Sequence, residues 1–385
     1  MPTYYAACTL GLEHVLADEL RALGADRIQE RRGACAFVAE PALAYRACLW
    51  LRSAIRVQEE LARGTVRDRD DLYALTGTVD WSRSITHLQT LAVDGSVKDS
   101  FANDTRYPVL VVKDAICDQF REHTGKRPDV ARDRPHLPIK LVLQGQDAIL
   151  YRELGGEPLH KRGYREILHK SPLNEATAAG LLLATDWDRR SPVCDPMCGS
   201  ATFLIEAAWI ATDRAPGLGR SFAFEHWRDA DLDAWREAYD EAEARAAAGA
   251  DRLPKLCGND RHPGAIAIAK KALAGAGLAD RVKLHEGDAA DYVPPFAPAL
   301  VVTNPPYGER VGGSPQELDD TWRALGCFLH ERCAGASAYV LCGNPEVTKF
   351  LGLRASGRMP VRNGPIECRW LRYEVDGSRA GRSIS

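Results

Sequence analysis

The chain has 385 residues, a length that predicts two or three domains of about 150 residues each. A hydrophobic fraction of 45% and a charged fraction of 27% are typical of a globular protein and exclude bulk disorder, collagen and coiled coil. No apolar run reaches the ~18 residues of a membrane span, and the N-terminus lacks the pattern of a signal peptide. The net charge of −3 does not by itself indicate a nucleic-acid partner.

The 11 cysteines are scattered along the chain without a C-x-x-C pair. Neither zinc-ligand spacing nor a disulfide framework is indicated, so we predict reduced thiols in a cytoplasmic protein that binds no metal. Charge is unevenly distributed: basic residues are in excess at 121–140, 161–170 and 349–382, whereas 229–245 carries seven carboxylates and two arginines.

The first 65 residues predict a small α+β domain. YYAAC and ACAFVA have strand patterns, and the apolar spacing over 12–23 predicts an amphipathic helix that ends at Gly24. A further apolar stripe predicts a second helix over 43–61.

Residues 66–156 predict a mixed unit in which LQTLAV and the hairpin PIKLVLQGQDAILYREL are strands and VKDAICDQFREHTG is a helix. The polar loop over 127–138 is either a solvated connection or an edge that contacts phosphates. Two basic clusters are candidates for phosphate contact: Arg127, Arg132 and Arg134 in this loop, and Lys161, Arg162 and Arg165 after it. Ser171 and Pro172 are then predicted to begin an Ala/Leu helix as N-cap and first residue.

From Pro192 onward, short apolar strands alternate with helices, which predicts a parallel, doubly wound α/β sheet. An insertion over 213–252 interrupts this pattern. Ligands of such sheets bind beyond the carboxyl ends of the strands. Four predicted strands are followed there by a polar residue: Asp195, Asp260, Asp288 and Asn304.

The three acids suit different parts of one ligand. The turn after Asp195 lacks both the G-x-G-x-x-G and the P-loop pattern, and its acid suits a cationic or amine-bearing group. Asp260 is placed to accept two ribose hydroxyls, and Asp288 to accept an adenine amino group. Each acid alone is equally well explained as the N-cap of the next helix, but all four residues in this order are hard to explain as turns.

The run Asn304-Pro305-Pro306-Tyr307 points to an exocyclic amine. The prolines fix the backbone, the Asn304 side-chain oxygen and the Pro305 carbonyl can accept from one NH2 group, and Tyr307 offers a flat face to a base. This arrangement aligns an amine lone pair with an electrophilic methyl group. No strong base is needed, because the proton can leave after the transfer.

Several segments resemble the THUMP-domain RNA guanine-N2 methyltransferases, which are class I S-adenosylmethionine-dependent enzymes. Within them the chain is most similar to the RlmL type, the N-terminal half of bifunctional 23S rRNA methyltransferases. The segments are GEPLHKRGYR, SPLNEATAAGLL, DPMCGSATFLIEAA, APGLGRSFAFEHW, NPPYGER and NGPIEC. The resemblance implies a ferredoxin-like domain over 1–65, a THUMP RNA-binding domain over 66–156 and a Rossmann-like methyltransferase domain over 157–385.

The resemblance also implies S-adenosyl-L-methionine as cofactor and RNA as partner, with 23S rRNA favoured over tRNA, and neither membrane nor metal. The residues matched to cofactor binding are Leu173, Glu175, Asp195, Pro196, Cys198, Gly199, Asp260, Asp288 and Asn304. The residues matched to catalysis are Asn304, Pro305, Pro306 and Tyr307. One departure stands out: Ala201 replaces the second glycine of the usual G-S-G-T run, and its methyl group would crowd the cofactor if the position requires positive φ.

Three other hypotheses remain open. The chain is a tRNA guanine-N2 methyltransferase, an N6-adenine or glutamine methyltransferase that uses the same N-P-P-Y run, or a non-catalytic RNA-binding ribosome assembly factor with a degenerate cofactor pocket. Ala201 is the feature that favours the assembly factor. Oligomeric state is left undetermined.

Overall fold

The computed structural model describes residues 1–165, 173–308 and 314–376. These residues form two compact units. Unit 1 comprises 1–7, 17–159 and 219–240, and unit 2 comprises 8–16, 160–218 and the chain from 241 onward. Within the described ranges, every helix is too short or too polar to cross a bilayer.

Unit 1 is built on an eight-stranded sheet in the order β2-β3-β1-β4-β8-β7-β5-β6. The strands are β1 (Thr3–Cys8), β2 (Asp26–Arg31), β3 (Ala34–Val38), β4 (Ala54–Thr65), β5 (Thr90–Lys98), β6 (Asp129–Val130), β7 (Leu137–Gln144) and β8 (Asp147–Glu153). The N-terminal helices are α1 (Glu13–Ala22), α2 (Pro41–Trp50), α3 (Arg69–Gly77) and α4 (Arg106–Thr124). The predicted hairpin at Gln-Gly-Gln-Asp is confirmed, since β7 and β8 pair antiparallel across it.

The predicted helix over 43–61 is wrong beyond Trp50. The chain leaves α2 there and extends as β4, which pairs antiparallel with β8 from Gln58 to Thr65. Val57 and Glu59, two residues apart, are both buried, as the period of a strand requires. An apolar stripe of this length does not separate helix from strand, and pairing with a distant strand decided between them. The same strand lies between β1 and β8, so one sheet spans both predicted N-terminal domains.

Residues 219–240 are part of the core of unit 1. The Phe224 ring stacks on Tyr45 with centroids 4.3 Å apart. The guanidinium of Arg152 binds Glu59 at 2.7 Å and Asp229 at 2.8 Å and lies over the Trp227 ring, 4.2 Å from its centroid. This segment of the predicted insertion therefore packs as an element of unit 1.

Unit 2 is built on a seven-stranded sheet in the order β11-β10-β9-β12-β13-β15-β14. Its strands are β9 (Val193–Asp195), β10 (Leu256–Asp260), β11 (Val282–Glu286), β12 (Leu300–Thr303), β13 (Ser337–Cys342), β14 (Gly357–Asn363) and β15 (Ile366–Glu374). The remaining helices are α5 (Glu175–Leu183), α6 (Thr202–Ala211), α7 (Leu232–Gly249), α8 (Pro263–Gly275) and α9 (Pro315–Arg332). Strands β9 to β13 run parallel, and the β14–β15 hairpin adds antiparallel to β13.

Both faces of this sheet are covered, as the alternating strand and helix pattern predicts. Val193 and Val302 pack with α5, α6 and α8 in one hydrophobic cluster, whereas their neighbours Cys194 and Val301 pack with α9 in another. Successive residues of a strand point to opposite faces. The strand order turns at β9, which has β10 on one side and β12 on the other, and this is where a doubly wound sheet binds ligands.

Helix α5 begins later than the sequence suggests. Asn174 is its N-cap, and the side chain accepts hydrogen bonds from the backbone N–H groups of Ala176 and Thr177 at 2.9 and 3.2 Å. The predicted cap Ser171 and first residue Pro172 lie outside the described residues.

Candidate active site

A cavity of about 590 Å³ opens in unit 2 at the carboxyl ends of β9, β10 and β12. It brings together most of the predicted site residues. Those that line it are Leu173, Asp195, Pro196, Cys198, Gly199, Asp260, Asp288, Asn304, Pro305, Pro306 and Tyr307. In the part of the chain that the structure describes, no group of three or more His, Cys, Asp or Glu side chains is arranged to hold a metal ion.

Asp195 ends β9 and is 2% exposed. Its Oδ1 accepts a hydrogen bond from the Met197 backbone N–H at 3.2 Å. Burial raises the pKa of this carboxyl to about 7, because a charged group loses hydration in the protein interior. A cation placed beside Asp195 would favour its ionised form.

Asp260 ties two loops of the cavity wall together. Its Oδ2 accepts from the Gly199 N–H and its Oδ1 from the His262 N–H, each at 2.9 Å. Asp288 also accepts a backbone hydrogen bond, since its Oδ1 accepts from the Ala290 N–H at 2.9 Å. Both acids thus bond backbone donors in the turns after their strands and also line the cavity. The alternative that Asp260 is the N-cap of the next helix is wrong, because His262 is the N-cap of α8. A carboxylate oxygen has two acceptor sites, so one backbone bond leaves room for a ligand.

Asn259 was missed by the sequence reasoning. This buried residue lies next to Asp260, and its Nδ2 donates to the Pro196 and Gly287 carbonyls at 3.1 and 3.0 Å. Its Oδ1 is 2.8 Å from the His285 Nδ1. One amide therefore fixes the loops that follow β9 and β11. The available signal was a polar residue at the end of an otherwise apolar strand.

Ala201 has the positive φ on which the crowding prediction depended. Its φ is 60°, in the left-handed region, immediately before α6. The side chain, however, is 0% exposed and belongs to the hydrophobic core cluster with Leu204 and Ile205, and it is not among the cavity-lining residues. The backbone therefore has the positive φ that crowding would require. The methyl group, however, points into the hydrophobic core and does not line the cavity.

The run from Asn304 to Tyr307 follows β12 directly. The Pro306 carbonyl accepts a hydrogen bond from Nε1 of Trp322 at 2.7 Å, which attaches the turn to α9. The Asn304 Oδ1 is buried and has no hydrogen-bond partner among the described residues. A buried acceptor without a donor costs about 1–3 kcal/mol, so this atom marks a place where a ligand donor is expected.

Tyr307 is held on two sides. Its hydroxyl accepts from Asn363 Nδ2 at 2.7 Å and lies 3.7 Å from Cys368 Sγ. At Gly343, an added Cβ would lie 2.5 Å from the Tyr307 ring, so only glycine permits this approach. Burial raises the pKa of the phenol. Asn363 and Ile366, from the β14–β15 hairpin, also line the cavity. The sequence analysis did not predict this hairpin, although the Asn-Gly-Pro run is a turn signal.

The predicted RNA contacts of Arg162 and Arg165 are contradicted by burial. The Arg162 side chain is 1% exposed and lies 3.6 Å from a Glu206 oxygen. The Arg165 side chain is 5% exposed and pairs with Glu175 at 3.3 Å. Neither guanidinium is exposed enough to contact a phosphate. Lys161, in contrast, is exposed.

Arg165 instead holds the loop between β9 and α6, which forms part of the cavity wall. Its guanidinium donates to Ser200 Oγ and the Leu173 carbonyl at 3.3 and 3.4 Å, and also to Thr202 Oγ1. Leu173, Ser200 and Thr202 line the cavity, whereas Glu175 does not. Glu175 is therefore placed behind the wall, as the ionic partner of Arg165, and burial raises its pKa.

The three arginines predicted in the loop over 127–138 are exposed on unit 1. They are Arg127, Arg132 and Arg134. The loop also contains the short strand β6, which pairs with β5 at the edge of the sheet.

Comparison with protein families gives three matches in chain order. The model of the RlmL ferredoxin-like domain matches residues 3–58, that of the THUMP domain 66–153, and that of the RMKL-like methyltransferase domain 162–372. Two relatives named ribosomal RNA large subunit methyltransferase K/L come from Syntrophotalea carbinolica and Methylococcus capsulatus. They are 39% and 40% identical over 98% of this chain, and the match covers 54% and 52% of their own lengths. The chain thus spans about half the length of these curated relatives.

Three solved structures superpose on this chain over nearly its whole length. SMU.472 in complex with SAH superposes with a TM-score of 0.87 and 26% identity, covering 99% of both chains. A protein described as a possible methylase from Clostridium difficile 630 gives 0.86 and 28%, covering 99% of this chain and 100% of its own. A predicted N6-adenine-specific DNA methylase from Listeria monocytogenes gives 0.85 and 28%, covering 97% and 96%. The chain belongs to the RMKL-like methyltransferase family, with RlmL-type ferredoxin-like and THUMP domains ahead of a class I methyltransferase domain.

Proposed function

We propose that this chain transfers a methyl group from S-adenosyl-L-methionine to the exocyclic N2 amine of a guanine in 23S rRNA. The unpartnered Asn304 Oδ1, in a cavity that three carboxylates also line, carries the proposal. The names of the ribosomal RNA methyltransferase relatives support the substrate, and the SAH bound to SMU.472 supports the cofactor, since SAH is what S-adenosylmethionine becomes on losing its methyl group.

The cavity residues fit this cofactor. A volume of about 590 Å³ lies within the usual range of small-molecule sites. Asp195 would hold the cationic methionine end, because its burial makes it responsive to a nearby positive charge. Asp260 and Asp288 keep acceptor sites for ribose hydroxyls and an adenine amino group.

When bound, the cofactor supplies an electrophilic methyl carbon on a sulfonium, and its C–S bond breaks as the N–C bond forms. Asn304 Oδ1 and the Pro305 carbonyl would accept the two N2 hydrogens and so orient the nitrogen lone pair. Tyr307 would support the base by stacking. The surplus proton leaves to water after transfer, so these residues act by positioning.

RNA binding would begin on unit 1. Exposed Arg127, Arg132 and Arg134 lie within the THUMP match and suit phosphate contact. The target guanine must leave its stack to reach a cavity of this kind. Residence in the cytoplasm, where ribosomal RNA is found, is part of the same proposal.

The alternative of an assembly factor with a degenerate pocket loses its supporting feature. Ala201 was that feature, and its methyl group lies in the core. Calorimetric titration with S-adenosylmethionine separates the two functions. We expect saturable binding; no measurable heat with folded protein would favour the assembly factor.

The decisive experiment is mass mapping of N2-methylguanosine in 23S rRNA and tRNA from a strain that lacks this protein. We expect one methylated guanine to disappear from 23S rRNA and to return with the wild-type gene but not with Asn304→Ala. Loss from tRNA alone would assign the alternative substrate. Unchanged methylation of both RNAs would refute the proposed activity.

A further inference from the structure

The β14–β15 hairpin contributes a polar side chain to the part of the cavity that Asn304, Pro305, Pro306 and Tyr307 line, which we call the base end. Asn363 and Ile366 face each other in register as the pair that closes its turn, and both line the cavity. The turn requires Gly364, whose φ is 60°. Asn363 is thus set on a paired strand, in the same wall as Tyr307.

The hydrogen bonds of the Asn363 amide are partly committed. Its Nδ2 donates to the Tyr307 hydroxyl at 2.7 Å. No side chain or backbone group among the described residues donates to its Oδ1. An asparagine amide that rotates by half a turn exchanges its donor and its acceptor. The Tyr307 hydroxyl can donate as well as accept, so either orientation of the amide keeps this bond; in the orientation that the structure gives, Nδ2 is committed to Tyr307 and Oδ1 is the free group.

We propose that Asn363 determines the base: its Oδ1 accepts the ring N1–H of guanine, while Asn304 and Pro305 accept the neighbouring N2 amine. This inference rests on the proposed function and adds a residue to it. Guanine carries N1–H and N2–H donors side by side, and Asn304, Pro305 and Asn363 supply acceptors from the wall of one cavity. In adenine and in 2,6-diaminopurine, N1 is an acceptor with no hydrogen, and it would face the Asn363 oxygen unfavourably.

The test uses two RNAs that differ in one base. A transcript spanning the mapped guanine is assembled with either guanine or 2,6-diaminopurine at that position. Both bases carry the 2-amino group, and guanine alone has N1–H. We expect wild-type kcat/KM to favour guanine by about tenfold to a hundredfold, the range for leaving one acceptor unpaired once a bound base covers it.

Three variants test whether Asn363 causes this preference for guanine. Asn363→Ala removes the acceptor, and the ratio of the two kcat/KM values should fall toward one. Asn363→Asp keeps an acceptor at the same place, and the ratio should stay near that of wild type. Asn344→Ala is the matched control, because Asn344 caps the 3-10 turn Pro345–Leu351 and is not part of the cavity wall. Titration with S-adenosylmethionine verifies that each variant is folded.

The outcomes separate three cases. If Asn363→Ala lowers kcat/KM equally for both bases, the residue only positions Tyr307 and the proposed base recognition is overturned. A wild-type enzyme that does not distinguish the bases also overturns it. If wild type methylates neither RNA, while the cofactor binds, the proposed function itself fails before this inference is reached.

Discussion

The two ends of the cavity are built differently. At the cofactor end, Asp195, Asp260 and Asp288 each accept a hydrogen bond from a backbone N–H. At the base end, Asn304 Oδ1 is buried with no partner in the described chain. The first end is organised by the protein's own loops, whereas under the proposed function the second would be completed by the amine of the bound base. Changes at the base end should therefore act on methyl transfer, and changes at the cofactor end on affinity for the cofactor.

The largest expected effect is that of Asn304→Ala. Methyl transfer should fall by at least about 10²- to 10³-fold, because the amine loses its orienting acceptor. Cofactor binding should change little, since the acids are untouched. Single-turnover kinetics and calorimetry measure the two quantities, with Asn344→Ala as the control. Retained activity would remove Asn304 from the site.

Arg165→Met should come next and should act on the cofactor end. It removes the bonds to Ser200, Thr202 and the Leu173 carbonyl and leaves Glu175 without its ionic partner. We expect the cofactor Kd to rise about tenfold or more and the free energy of unfolding to fall by about 3–5 kcal/mol, the cost of breaking a buried pair.

The matched control for Arg165→Met is Arg358→Met, at an exposed position of β14. Adding Glu175→Gln to Arg165→Met should recover stability but not cofactor affinity.

The salt dependence of RNA binding should be the same in Arg165→Met as in the wild type, since a buried Arg165 releases no counterion. A slope reduced by about one would instead restore the sequence-based assignment of Arg165 to RNA.

The pH dependence of cofactor binding should come from Asp195, whose pKa is raised from 3.8 to about 7. A cation prefers the carboxylate, so affinity should rise by about tenfold between pH 6 and pH 8. The effect on the free protein has the opposite sign. The folded state keeps a proton that the unfolded state releases, so this contribution to stability is complete below pH 3.8 and is lost as the pH rises through about 7.

Asp195→Asn tests both signs in one variant. In this variant, calorimetry should give a cofactor affinity that hardly changes with pH. Urea unfolding should no longer show the decrease in stability that the wild type has as the pH rises. A wild-type affinity that does not change with pH would contradict the assignment.

The smallest effect should be that of Ala201→Gly. Glycine relieves the left-handed conformation, which costs an alanine about 1 kcal/mol, and removes a buried methyl group worth about 0.8 kcal/mol. The free energy of unfolding should therefore change by less than about 1 kcal/mol, and cofactor affinity should be unchanged. A marked gain in affinity would show that the methyl group does crowd the cofactor.

The placement of the three acids in one cavity wall could be predicted from the sequence, because each lies at or just after the carboxyl end of a strand and parallel strands bring these ends together. Asn363 could not, since it reaches the cavity wall through a distant hairpin that pairs antiparallel with β13. Charge was misleading at Arg162 and Arg165, because exposure is not visible in a basic run. At β4, an apolar stripe predicted a helix where pairing with β8 made a strand.

The assignment of residues 219–240 to unit 1 has a consequence for folding during synthesis. The last strand of that unit's sheet ends at Glu153, yet Tyr45 and Arg152 find Phe224 and Asp229 about seventy residues or more later in the chain. A nascent chain that has completed the sheet still exposes the surfaces that 219–240 covers. Unit 1 therefore reaches its final packing only after residues 160–218 of unit 2 have been translated, and a fragment cut at the sequence boundary near 156 would lack part of its own core.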